Sequence, residues 1–432
     1  MKKLLALLLV VLMIISISAC ASTDEPAPPE DVVEVVETVV IKFFSNQADR
    51  SSNQGKIEDM LIAQYEAENP NVKIEVEALQ DEPYKVSFSA YATSGDMPDF
   101  FNVWGQPGFL YDYIDAGLIQ ELNQADYAGY GFVPGCLDGF SKDGKLYGLP
   151  RNTDLGCIFY NKAIFAENGW EVPATYEDLV DLAKAMNAAG IMPMTTNGGD
   201  GWPLCIFLTD LLAKCNGGFG DQTQAAIDKA DFSDPAFAEA SKYLQDAALA
   251  GLFTKSYASD DYGAAKNLFV NGQAAMYYIG GWEMGMASDD SITAMDPGKD
   301  IGVFVLPAPK DAKGKTSDIS AWFGGGYAVA SNSPVKEEAL KLLNWWMRPE
   351  NWTRLCTEEG ITLTAQDGSS FKGKTAVQSE LAAILGSATS TSGTTINDCG
   401  SSEFKTISES AIVELVLGKL TPEEFCDKLA GK

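Results

Sequence analysis

The 432-residue sequence predicts an α/β fold built from two units. Three observations carry this. Strand-like and helix-like stretches alternate from Val39 to Val103 in the order strand, helix, strand, helix, strand, the pattern of a parallel sheet with crossover helices. A second alternation begins near Ile158. The chain is also long enough for two domains of about 100–200 residues each, and 46% of its residues are hydrophobic, enough for a large core.

The elements follow in chain order. Val39 to Phe44 reads as a buried strand. Ile57, Leu61, Ile62 and Tyr65 have helical spacing within 53–68, and Asn69-Pro70 ends that helix. Val72 to Val76 alternates like a strand, a helix covers about 83–94, and Gly95-Asp96-Met97-Pro98 turns into the strand Asp99 to Val103. A short helix over 107–116 precedes the Asp143-Gly144 turn and a strand over Leu146 to Leu149. In the second run, Thr175 caps a helix over 173–188. A strand at 191–195, helices over 204–215 and 235–250, and strands at 274–279 and 301–307 follow. Helices over 334–346, 350–358 and 402–416 close the chain, and Ser387 to Thr395 reads as a loop. No internal repeat is visible.

Composition excludes several classes of function. There is no histidine, which removes Ser-His-Asp and Cys-His catalysis and every His-ligated metal site. None of the eight cysteines forms a C-x-x-C pair, so zinc and thioredoxin-like readings are weak, and buried apolar roles are expected instead. Cys205 and Cys215 share one predicted helix and lie about 15 Å apart along it, too far for a disulfide. Neither a P-loop nor a Gly-x-Gly-x-x-Gly fingerprint follows a strand, and no cofactor or metal is expected. The formal charge of −29 argues against nucleic acid and anionic lipid as partners.

The N-terminus points outside the cell. Lys2 and Lys3 precede an apolar run from Leu4 to Ile15, too short to span a bilayer and typical of a secretory signal over residues 1–19. Ile17-Ser18-Ala19-Cys20 resembles the lipobox of bacterial lipoproteins, which implies cleavage before Cys20 and a lipid on it. Removing Lys2 and Lys3 with that signal takes the formal charge from −29 to −31. Residues 20–38, with three prolines and six acids, read as a solvated tether. No later stretch is long and apolar enough for a membrane helix.

Phe269-Val270-Asn271-Gly272-Gln273-Ala274-Ala275-Met276, followed by Gly280-Gly281-Trp282, resembles the signature of extracellular solute-binding proteins of the maltose-binding type. Pro98-Asp99 with Trp104, Gly148-Leu149-Pro150 with Phe159-Tyr160-Asn161-Lys162, Pro173-Ala174-Thr175, and Gly324 to Val329 are similar to the same family and come in its order. The resemblance covers about residues 39–432. It implies a two-lobe periplasmic-binding-protein fold of type II, with a ligand cleft between lobes joined by hinge strands. Lobe 1 would hold 39–149 and 301–349, and lobe 2 would hold 150–300 and 350–432. The crossings would lie near Pro150, 298–301 and 348–351. The resemblance also implies hinge closure on a carbohydrate and delivery to the permease subunits of an ABC transporter. The site would be the extracellular face of the cytoplasmic membrane, in a Gram-positive cell by preference, with the receptor a monomer.

A neutral sugar presents C–H faces that suit aromatic rings and hydroxyls that suit amides and carboxylates. The tryptophans in Gly- or Pro-flanked contexts, Trp104, Trp202, Trp282 and Trp322, are the candidates for stacking, with Trp282 first among them. Trp345 and Trp346 sit inside a helix and read as packing residues. Asn46 and Gln47 follow the first strand, where the family places polar contacts; a helix cap is the other reading. Asp99 reads as structural. Gln106 follows the third strand. Arg151 and Asp154 lie just past the expected hinge, as a salt bridge or as hydroxyl acceptors. Glu283 stands beside Trp282, and Phe404 opens a late helix where relatives often supply an aromatic. The glycine run Gly324-Gly325-Gly326 is expected to allow tight turning.

Two other readings stay open. One is the same fold binding a peptide, polyamine or anion; an anion would want a basic cleft or a helix N-terminus, and only Arg151 suggests that. The other is a surface-tethered glycoside hydrolase with a carboxylate pair.

Overall fold

The computed structural model describes residues 37–432. The signal segment, Cys20 and nearly all of the expected tether lie outside the described residues. Two separate sheets organise the chain. The first has the order Val72–Ala78, Val39–Ser45, Phe100–Trp104, Gly325–Val329, Leu149–Pro150. The first three run parallel, and Gly325–Val329 pairs antiparallel to both neighbours. The second is built around Asp154–Asn161. Ala274–Gly280 pairs antiparallel to one side of it and itself carries Met192–Thr195 in parallel. Ile301–Phe304 and Asp318–Trp322 share the other side, and Ser390–Gly393 adds to the latter.

Each sheet has its own core. Phe43, Phe100, Tyr327, Trp346 and Trp352 sit in the first. In the second, alternation along Asp154–Asn161 sends Leu155, Cys157 and Phe159 to one face and Ile158 to the other, where helix Trp202–Asn216 packs. A sheet with helices on both faces buries both sides of its strands, so these strands read as continuous apolar runs.

Local chemistry explains the element ends. Thr175 and Asp178 form a reciprocal capping box at helix Tyr176–Ala188. Asp143 and Gly144, at φ 52° and 75°, close the hairpin between Ser141–Lys142 and Lys145–Leu146 in the left-handed conformation that two-residue turns favour. Asp99 accepts from the Lys42 amide at 2.8 Å and from the Ser333 hydroxyl at 2.6 Å, a structural role.

The chain changes sheet at three places, and two differ from expectation. The first passage lies between Pro150 and Asp154. The second is not near 298–301: Ile301 pairs with Asn161 and Ala321 with Leu155, so residues 301–322 belong to the second sheet and the passage is between Trp322 and Gly325. The third is later than 348–351. Helix Trp352–Glu359 packs its Trp352, Leu355 and Cys356 in the first core with Ile361; Leu363 packs on the second, yet Ala365 and Asp367 still bond Val133 and Gly131 on the first-sheet side, so the passage is complete only after Asp367. There Thr153 donates its amide to the Leu363 carbonyl at 2.8 Å, so two crossing segments brace each other. Ser387 to Thr395 is also not wholly a loop, because Ser390–Gly393 finds a partner strand.

Cys205 and Cys215 share helix Trp202–Asn216, and the seven described cysteines are free. Among the described residues no helix is long and apolar enough to cross a membrane.

Candidate functional site

Between the two sheets lies a cavity lined from both sides. The first-sheet side supplies it with the loops that follow each parallel strand: Asn46–Gln54 after Val39–Ser45, Gln80–Lys85 after Val72–Ala78, and Trp104–Phe109 after Phe100–Trp104. The crossing segment adds Arg151, Asn152 and Asp154. The second-sheet side adds Trp202, Tyr262, Lys266, Trp282, Glu283, Trp322, Asn397, Asp398 and Lys405. Strand ends and the loops beyond them converge here, the usual place for a ligand in an α/β fold.

Aromatic rings form one wall. Trp282 stands between Trp202 and Trp322, with ring centroids 5.9 and 6.0 Å away. Trp104 lines the first-sheet side, with Lys85 Nζ 5.4 Å from its ring. Two indole N–H groups of the second-sheet wall have protein partners: Trp282 Nε1 donates to Tyr262 Oη at 2.8 Å and Trp202 Nε1 to Asp81 Oδ2 at 2.9 Å.

The charges are paired. Glu283, 3% exposed, accepts from Tyr262 Oη, from Asn53 Nδ2 at 2.9 Å and from Lys266 Nζ at 3.1 Å. Burial and the Glu283 charge raise the Tyr262 pKa, so that phenol stays protonated and donates. Lys85 meets Asp81 at 3.3 Å and Glu82. Burial opposes its charge, yet those carboxylates prevail and its pKa rises. Lys405 sits 2.6 Å from Asp398 and 2.7 Å from Glu409, with the same outcome. Arg151 donates to Asn46 Oδ1 at 3.1 Å and lies 4.0 Å from Glu58.

Asp154 is the exception among the acids. Burial pushes its pKa up to about 7, against the pull of Arg151, the Gly325 and Gly324 amides and the Asn152 side chain. The glycine run makes this approach possible. A Cβ on Gly324 would lie 2.5 Å from Trp322 Nε1 and 3.2 Å from Asp154 Oδ2, and one on Gly325 would lie 2.9 Å from Arg151 Nε. No residue of the run has positive φ. It therefore serves close contact, not the tight turning expected.

The cavity brings together Asn46, Gln47, Trp104, Gln106, Arg151, Asp154, Trp202, Trp282, Glu283 and Trp322. Phe404 is not among them: its ring stacks on Phe232, centroids 6.0 Å apart, on the second core. Its neighbour Lys405 lines the cavity instead. Asn53, Asp81, Lys85, Tyr262, Lys266 and Asp398 were not anticipated. For Asn53 and Asp81 the partners, Glu283 and Trp202, are far away in sequence. Only Asp261, a capping residue before Tyr262, gave a local signal there, and it marks a helix, not a site.

Residues 49–351 match the family model described as bacterial extracellular solute-binding protein. The chain is 25% identical over 323 residues to the multiple sugar-binding protein of Streptococcus mutans serotype c, covering 73% of this chain and 72% of that one. Its fold is similar to a structure from work on xylan utilization by the thermophilic bacterium Caldanaerobius polysaccharolyticus, with TM-score 0.82 and 22% identity over 91% of this chain and 99% of that one. It is also similar to a chitin oligosaccharide binding protein, with TM-score 0.79 and 22% identity over 91% and 98%.

Proposed function

The chain belongs to the bacterial extracellular solute-binding proteins, and from that membership we propose that it is the carbohydrate receptor of an ABC importer. It holds a saccharide between its lobes and passes it to membrane permease subunits. The observation that carries this is the wall of Trp202, Trp282 and Trp322 facing a rim of amides and paired charges. Indole faces bury the C–H surface of a sugar ring, and the rim takes its hydroxyls.

The same rim argues against an anion. Lys85, Arg151, Lys266 and Lys405 each have a carboxylate within 4.0 Å, so the cavity offers a phosphate no unpaired cation. It argues against hydrolysis too. Glu283 is pinned by three donors and is a poor candidate for a nucleophile or base. Lipid on Cys20 and a tether over residues 20–38 complete the reading: a monomeric receptor held at the outer face of a membrane, a Gram-positive one by preference.

A thermal-shift screen against mono- and oligosaccharides, amino acids, peptides and polyamines tests this. A ligand at 100 times its dissociation constant adds about 2.7 kcal/mol of stability. A shift with one glycan class and no product by chromatography is expected. A shift with peptides or amines alone overturns the ligand class, and product formation overturns the receptor reading.

A further inference from the structure

Resting on the carbohydrate-receptor reading, we infer that the cavity takes a compact saccharide of one or two residues, because direct contacts between the lobes fence it. Three such contacts come from three separate loops of the first lobe. Asn53 Nδ2 donates to Glu283 at 2.9 Å. Trp202 Nε1 donates to Asp81 at 2.9 Å. The loop after Phe100–Trp104 meets the far end of the second lobe: a Cβ on Gly108 would lie 3.4 Å from Lys405 Cδ and 3.5 Å from Asp398 Oδ1. Gln106, with its amide nitrogen turned inward, donates to that same Asp398 at 2.9 Å. The crossing segment with Arg151 and Asp154 lines another side.

A cleft that threads a polymer needs open ends, where each lobe turns its polar groups to the ligand and not to the other lobe. Here those groups bond across the gap. Nor are the fences loose surface pairs. Asn53 and Asp81 hold positive φ, 48° and 38°, a conformation that Asn and Asp tolerate better than other non-glycine residues. Glu283 is buried and held by Tyr262 and Lys266 as well.

Calorimetric titration of the protein with gluco-, xylo-, galacto-, manno- and chito-series ligands, from one to six residues, reads the length dependence. Within the series that binds, affinity is expected to peak at one or two residues and to fall at least tenfold by four. An Asn53→Ala, Asp81→Ala double variant is expected to narrow that ratio at least tenfold. Trp202→Phe, which keeps the ring and drops one fence, should narrow it in the same direction if the double variant does not fold. Affinity that climbs steadily to the hexasaccharide overturns the short-ligand inference and leaves the receptor reading standing. Absence of binding across all series overturns both.

Discussion

Asp81 Oδ2 accepts a hydrogen bond from Trp202 Nε1 at 2.9 Å, so the residue that opens helix Asp81–Ser94 holds the residue that opens helix Trp202–Asn216. The bond lies across the cavity. It fixes the Trp202 ring edge-on to Asp81, with its centroid 5.9 Å from Trp282. One side chain thus both joins the lobes and supplies an aromatic surface.

Trp202→Phe separates these two roles. The phenyl ring keeps most of the apolar surface and loses the N–H. A hydrogen bond to a charged group contributes about 1.5–3 kcal/mol net, but Asp81 retains Lys85 at 3.3 Å, which softens the loss. Saccharide affinity by calorimetry should fall roughly tenfold, and Trp202→Ala should fall further. Equal affinities for the two variants would remove stacking from the account.

Trp282→Ala tests the centre of the wall. Trp282 touches Trp202 and Trp322 and bonds Tyr262, so truncation removes a ring and leaves Tyr262 without its donor. An aromatic pair contributes about 0.5–1.5 kcal/mol beyond area burial. The expected loss of affinity is several-fold to a hundredfold. Wild-type affinity in this variant sinks the assignment of Trp282 as a contact.

The glycine run gives a prediction on stability. Gly324→Ala puts a methyl 2.5 Å from Trp322 Nε1, in a segment where Asp154 and Arg151 leave no slack. Overpacking of this kind costs about 1–3 kcal/mol, read from the denaturant midpoint. Gly386→Ala is the control: it ends helix Ala376–Gly386, and its added methyl meets nothing within 4 Å. It should be neutral or stabilising by up to about 1 kcal/mol.

Much of this arrangement is legible in the sequence, and the gaps have physical causes. Helix Asn53–Glu68 is written in its own apolar spacing and in the Asn69-Pro70 stop, both local signals. Strand identity is local too, but strand partnership is not. Ile301–Phe304 declares itself a strand through its apolar run, yet nothing in that run says that it pairs with Asn161 to Ile158. The misplaced second crossing follows from that. Ser390–Gly393 shows the reverse: of its four residues only Thr391 favours a strand, and it becomes one because Asp318–Trp322 offers an edge. The tryptophans were visible because Gly and Pro flank them. Asn53 and Asp81 were not, since their importance lies in a backbone conformation and a partner more than a hundred residues away. Phe404 failed by one position. On helix Ser402–Val416 adjacent residues point in different directions, so Phe404 packs on Phe232 while Lys405 reaches Asp398.

Asp154 carries the last prediction, on pH. Its carboxyl pKa stands near 7 in the folded chain against an ordinary value of 3.8, because burial outweighs Arg151, the Gly325 and Gly324 amides and the Asn152 side chain. Between those two values the folded state holds a proton that the unfolded state has released. Stability from this group is therefore complete below pH 3.8 and is lost as pH rises to about 7. Asn cannot ionise and nearly matches the protonated acid in shape. The stability of Asp154→Asn relative to the parent should thus rise from pH 5 to pH 8, by ~2 kcal/mol or more in denaturant titrations. Asp210 and Glu409, whose pKa values are also raised, titrate alike in both proteins and cancel from the difference. A difference independent of pH would mean that Asp154 is already ionised at pH 5, with Arg151 and the Gly324 and Gly325 amides winning over burial.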